Sequence, residues 1–287
     1  MFITTATIPD LERAIGRRRR LPSNGAGGHA VSLGSLLYLG MNLHLAMSRQ
    51  DTEVTAVVES VGHPIVTAIG NLMGNEHRTL ATDDFKTTPL DVFNVRSRDD
   101  LKSNQWIFFC DRFRRTASGG KQSRAILALA SVMREMADNV VHGYVGGVVP
   151  CAALVGYHVT PSGLTFSVVD NGRGFRASLQ QRDIWKHLSS ENAALDAVVS
   201  KQATSRADQS SGGGFKQLFN SLLDLNGLLV LRSGPSAFIL KNEHTHWKRR
   251  EVESHPVPGA QVTYLFRRAG DPVEEEISQN SLLHSHK

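Results

Sequence analysis

Cysteine is nearly absent from this chain: two in 287 residues, Cys110 and Cys151. They supply neither a disulfide framework nor the paired spacing of a thiolate metal site. Both stand among apolar neighbours, so buried free thiols are expected. Long apolar runs are missing as well, and none approaches the ~20 residues that cross a bilayer. Residues 1–20 place their charges after the apolar residues, the reverse of a secretory signal. A cytoplasmic protein without a membrane segment is the expectation. Excess charge is confined to one place. The formal net charge is +5, and Arg17, Arg18, Arg19 and Arg20 supply four of those charges in one run. The remainder is close to neutral, which excludes a broad nucleic-acid-binding face and leaves only that run as a candidate for acidic partners. No internal repeat is present.

What remains is a composition with 40% hydrophobic and 21% charged residues, enough to build a core. Residues 1–29 read as a basic flexible segment, ending in a Gly/Ser/Pro/Asn stretch. Residues 30–115 read as an α/β region with no chemical motif. Within it the pattern predicts helices over 31–49 and 61–73 and strands over 52–61, 92–97 and 105–113. Residues 116–268 read as the main domain, and 269–287 as a mobile tail. In the main domain a long amphipathic helix is predicted over 123–141. Two strands follow, 151–160 and 164–170, with Pro161, Ser162 and Gly163 as the turn between them. After a polar segment of about 35 residues with a helical stretch near 191–202, another helix (215–226) and three or four strand-like runs close the domain. The fold class expected is α+β, a two-layer sandwich with helices on one face of a mixed sheet.

Three motifs in this domain carry chemistry. Glu135 and Asn139 are four apart on the long helix, hence on one face of it. An amide oxygen is a hard ligand suited to Mg²⁺, and a carboxylate one turn away can orient or deprotonate a water. His142 follows close to the same face, within reach of an anion. Asp170 then ends an apolar strand and runs into Asn171-Gly172-Arg173-Gly174-Phe175. Glycines let a ligand approach the backbone, and a buried acid needs a donor because an unpaired buried charge is costly. The third motif, Ser210-Ser211-Gly212-Gly213-Gly214-Phe215, opens a helix. Its free N–H groups and the helix dipole suit phosphate. Taken singly, each has an ordinary reading: a solvated pair, a capped turn, a flexible helix start.

In this order the three motifs resemble the GHKL superfamily of ATPases and kinases (gyrase, Hsp90, histidine kinase, MutL). Glu135 and Asn139 resemble its N box. Asp170, Gly172 and Gly174 resemble its DxGxG box, and Gly212 and Gly214 its second glycine box. The polar segment between the glycine motifs resembles its ATP lid. Asn139-Val-Val-His142 resembles the anti-sigma-factor kinases, in which the His falls one residue later. Gly259-Ala260 stands where the family has Gly-Thr. The resemblance covers residues 116–268 and implies the Bergerat sandwich binding ATP with Mg²⁺. It implies Glu135 as general base, Asn139 as the metal ligand, and Asp170 as acceptor for the adenine amine. Gly172, Gly174 and Phe175 would sit at the adenine end, and His142, Gly212, Gly213, Gly214 and Phe215 near the phosphates. Phosphotransfer to a partner protein and a slow ATP-driven conformational switch both fit. The partner or phosphoacceptor would be engaged through the N-terminal region or the lid, and a homodimer is left open.

Rival readings fit less well. Gly172 to Ala177 matches the dinucleotide fingerprint, with Glu191 about 20 residues on, but that fingerprint needs a helix opening within the glycines, and a polar stretch is expected instead. Gly119-Gly-Lys-Gln-Ser123 lacks the leading glycine of a P-loop and has Gln122 where Ser or Thr is required. His77 has no pair of long helices around it, so a self-contained sensor histidine kinase is not expected. The pairs His244/His246 and His284/His286 lack a third metal ligand.

Overall fold

A computed structural model describes residues 33, 37, 40, 41, 44, 69, 72, 73, 79–81, 90–118, 124–142, 153–160, 163–205, 215, 216, 218–220, 227–243 and 246–267. The basic run Arg17 to Arg20, the strand expected over 52–61, His77, Cys151, the glycines Gly212, Gly213 and Gly214, and the tail lie outside the described residues.

The elements, in chain order, are β1 (Thr79–Ala81), β2 (Leu90–Val95), α1 (Asn104–Ser118), α2 (Arg124–His142), β3 (Ala153–Thr160), β4 (Gly163–Asp170), α3 (Gly174–Leu179), α4 (Glu191–Lys201), β5 (Gly227–Glu243) and β6 (His246–Arg267). The strands form one sheet in the order β1-β2-β3-β4-β6-β5, and the fold is α+β. Every pairing is antiparallel, where a mixed sheet was expected. The reason is topological. β4 and β5 run in the same direction, joined by a crossover through α3 and α4, but β6 turns back from β5 and inserts between them. The strand-like runs near the C-terminus are correspondingly two long strands, broken in register at Ser233, Gly234 and Ser236.

One face of the sheet packs against α1 and α2. Ile126, Leu129, Val132, Met133, Met136 and Ala137 recur at helical spacing along α2 and are all buried. On α1 the buried stripe is Trp106, Phe109, Cys110 and Phe113. Residues 105–113 are therefore helical rather than the strand their β-branched and aromatic content suggested. Packing decides it: Trp106 and Phe109 meet Phe93 of β2 with ring centroids 5.1 and 5.6 Å apart, and Phe109 and Phe113 meet Tyr157 of β3 at 5.3 and 5.2 Å. Arg112 adds a polar tie, its Nε 2.6 Å from Asp91 Oδ2, which also accepts from Tyr157 Oη at 3.2 Å. Burial still holds the Asp91 carboxyl above its usual range.

The opposite face is covered as well, so the expected two-layer arrangement is corrected to helical residues on both faces. Val92, Leu154 and Val169 point to that face and are buried. Helical Leu37 lies against Gly156, where an added Cβ would stand 3.2 Å from its Cδ1. Leu33, Met41, Ile69, Leu72 and Met73 are buried too, and Arg96 donates to the Met73 carbonyl. A sheet apolar on both sides must be covered on both. Sheet and core thus run continuously across residue 115. Among the described residues, no helix is long and apolar enough to cross a membrane.

Candidate functional site

An open cleft lies on the α1/α2 face, above the end of β4 and the Ala260–Val262 stretch within β6. Its empty volume is about 910 Å³ with the solvent at its mouth included, within the range of small-molecule sites. Val168 and Val262 form an apolar floor, with Asp170 at its end. Met136, Asn139 and Val140 of α2 make one wall, and the Gly172–Gly174 turn with α3 makes another. Val198 near the end of α4, Thr204 and Ser205 close the side, and Phe215 reaches the rim, its ring 5.7 Å from that of Phe175.

Asp170 is the chemical centre of this cleft. It is 9% exposed and its Oδ1 accepts the Gly172 backbone N–H at 2.7 Å. The Ala260 backbone N–H also bonds its carboxylate. Burial pushes the carboxyl up to about 6, and the two amides pull against that shift without cancelling it. Two donors leave a carboxylate with acceptor capacity unused, at the end of an apolar floor. Ala260 contributes its backbone amide to the same group.

Two glycines make this geometry possible. Gly174 has φ +78°, and a Cβ there would lie 2.5 Å from Ser233 Oγ and 3.3 Å from the Gly259 carbonyl. Gly259 has φ +74°, and a Cβ there would run into the Asp170 carbonyl, with the Asp170 Oδ1 at 2.6 Å. Both conformations lie in the left-handed region that side chains rarely adopt.

Of the residues singled out from sequence, Asn139, Asp170, Gly172, Gly174, Phe175 and Phe215 meet at this cleft, from α2, the end of β4, the turn after it, α3 and the helical residue Phe215 further along the chain. Glu135 is half-buried on α2, one turn before Asn139, and is not part of the cleft lining. His142 closes α2, with its side chain outside the described residues, as are Gly212, Gly213 and Gly214. The dinucleotide alternative meets a different objection from the one anticipated. A helix does open at Gly174, but it lasts six residues, and among the described strands none forms the parallel pair that a βαβ unit requires. Cys110 is buried and free, its thiol pushed up to about 12 by burial, which leaves it inert.

Two residues about the site, Ser233 and Glu191, carried no sequence motif of their own, whereas Gly259 is marked by its likeness to the Gly-Thr pair. Ser233 and Glu191 sit behind the Gly174 turn: Ser233 Oγ accepts the Phe175 N–H at 2.9 Å and donates to Glu191 Oε2 at 2.7 Å. Gly259 packs against Asp170. In the sequence Glu191 stands out only by its distance from the glycines in the dinucleotide alternative.

No protein-family model, curated protein or solved structure matches this chain.

Proposed function

We propose that the cleft binds ATP with Mg²⁺ in the manner of the GHKL superfamily. The observation that carries the reading is the buried carboxylate of Asp170. It stands at the end of an apolar floor, has acceptor capacity beyond its two backbone donors, and lines the same cleft as Asn139. An exocyclic purine amine is the donor such a group accepts, and an apolar floor suits a planar base. Asn139 would supply an oxygen to Mg²⁺, which takes few protein ligands and fills the rest with phosphate oxygens and water. The metal would neutralise phosphate charge. The phosphate end falls to Gly212, Gly213 and Gly214, which precede the cleft residue Phe215 in sequence.

Phosphotransfer to a partner protein is the first activity this reading supports, with Glu135 as the base. A nucleotide-driven switch is the second, and one observation favours it: Glu135 lies outside the cleft lining. A partner would act through the N-terminal residues or through the segment between the glycine motifs. Calorimetry with ATP, with and without Mg²⁺, on the parent chain and on Asp170→Asn tests the site. Incubation with γ-labelled ATP then separates the activities. Label on protein supports transfer, free phosphate supports slow turnover, and no ATP binding by the parent overturns the whole reading.

A further inference from the structure

We propose that Glu191, acting through Ser233, is a positioning residue for the nucleotide cleft, the tie by which α4 holds the Gly172–Gly174 turn in its binding geometry. The proposal rests on the nucleotide reading of the cleft and adds a residue outside its lining.

The need for such a tie follows from α3. A helix of six residues does not hold itself in water, since isolated helices shorter than ~12 residues are marginal. Its N-cap residue, Arg173, makes no side-chain capping bond. The first-turn N–H groups are instead satisfied from distant parts of the chain. Ser233 of β5 takes the Phe175 N–H at 2.9 Å, and Glu191 of α4 takes the Arg176 N–H through Oε2 at 3.2 Å. The two side chains are joined to each other, the Ser233 hydroxyl donating its proton to the same Oε2 at 2.7 Å. A carboxylate at this place also meets the positive end of the short helix.

The surroundings are shaped to the same contact. Strand β5 breaks register on both sides of Gly234, and such a bulge re-aims the adjacent side chains. A Cβ at Gly234 would stand 2.9 Å from Glu191 Cγ, and one at Gly174 would stand 2.5 Å from Ser233 Oγ. Three elements therefore converge on one carboxylate, and two of the backbone positions beside it leave no room for a side chain. Glu191 opens α4 under its own cap, Ser190 Oγ accepting the Ala193 N–H at 3.1 Å. The far end of the same helix leads to Thr204 and Ser205 on the cleft wall. Displacing α4 thus moves two walls of the cleft together.

The test uses the full chain and four variants: Glu191→Ala, Glu191→Gln, Ser233→Ala and the double alanine variant. Two quantities are read in each, ATP affinity by calorimetry and the hydrogen-exchange rates of the Phe175 and Arg176 amides. Glu191→Ala is expected to weaken ATP roughly ten-fold, the loss of a hydrogen-bonded charge, and to speed exchange at both amides. Glu191→Gln keeps an acceptor oxygen and is expected to restore most of both. The double variant is expected to be little worse than the poorer single variant, because both remove one linked tie. Unchanged exchange at both amides in Glu191→Ala overturns the tie. Faster exchange or a lowered unfolding midpoint with parental ATP affinity means that Glu191 is structural only, and overturns the positioning role. A parent that binds no ATP defeats the nucleotide reading, and the exchange arm then still decides whether Glu191 holds the turn.

Discussion

The Cα of Gly259 sits so close to the backbone of Asp170 that a methyl group there would overlap the Asp170 carbonyl. At φ +74° it would also be strained. Gly259→Ala is therefore expected to cost at least ~1–3 kcal/mol from the backbone conformation alone. It should also push the end of β4 out of place. Urea denaturation reads the first effect and ATP affinity the second. A variant with the parental midpoint would show that β4 and β6 separate easily at this point.

The carboxyl of Asp170 gives stability a pH dependence of unusual sign. Its ordinary value of 3.8 is raised to about 6 in the folded chain, so the folded state holds the proton more tightly than the unfolded one. The contribution is present in full below about pH 4 and is lost as pH rises through about 6. Its size is on the order of 3 kcal/mol. Asp170→Asn does not titrate, so the difference in unfolding free energy between parent and variant should shift against the parent across this window. Denaturation series at pH 4, 5, 6 and 7 measure it; parallel curves would refute it.

Nucleotide affinity should show the opposite trend. A base amine donates to the ionised carboxylate, so ATP binding by the parent should strengthen as pH rises through about 6. Asp170→Asn should bind ten- to a hundred-fold more weakly, for a lost bond of ~1.5–3 kcal/mol, and lack this trend. Calorimetry at pH 5.5 and 7.5 decides it.

Asn139→Ala should separate metal from base. It removes the one amide that α2 directs to the cleft and leaves the Asp170 end intact. ATP affinity without Mg²⁺ should stay near the parental value, while the gain on adding Mg²⁺ disappears. A variant that still gains as the parent does has its metal held elsewhere.

Glu135→Ala separates the two activities. A general base contributes ~10²–10⁴-fold, so single-turnover phosphate release or transfer should fall by that factor with ATP affinity retained. Parental turnover in the variant would remove Glu135 from the chemistry and strengthen the switch.

The parts of this molecule legible in its sequence are those whose chemistry is local. Asp170, Gly172 and Gly174 lie within five residues, and Asn139 is marked by a helix whose apolar stripe is regular; all four meet at one cleft. Helix α1 carries a helical signal that its aromatic content masks. Trp106, Phe109, Cys110 and Phe113 keep helical spacing, but Ile107 and Phe108, 48% and 61% exposed, fill the gaps and imitate a buried strand. Helices on the second face could have been inferred from β2, β3 and β4, where Val92, Leu154 and Val169 leave the alternation without a solvated side. Ser233 and Glu191 had no such signal. Their bond joins positions 42 apart, and a lone Ser and a lone Glu resemble dozens of others until folding brings them together.

The register of β2 on β3, from Leu90 opposite His158 to Val95 opposite Ala153, bears on how the protein can be dissected. A fragment beginning at residue 116 would strip that partner away and leave β3 as a bare edge. Its N–H and C=O groups would face solvent along a strand whose side chains, Leu154 and Val155 among them, belong inside. Such an edge recruits strands from neighbouring molecules. The cleft residues would all be present in that fragment, yet it would be prone to self-association and precipitation. Fragments meant for binding work should therefore begin upstream of β1.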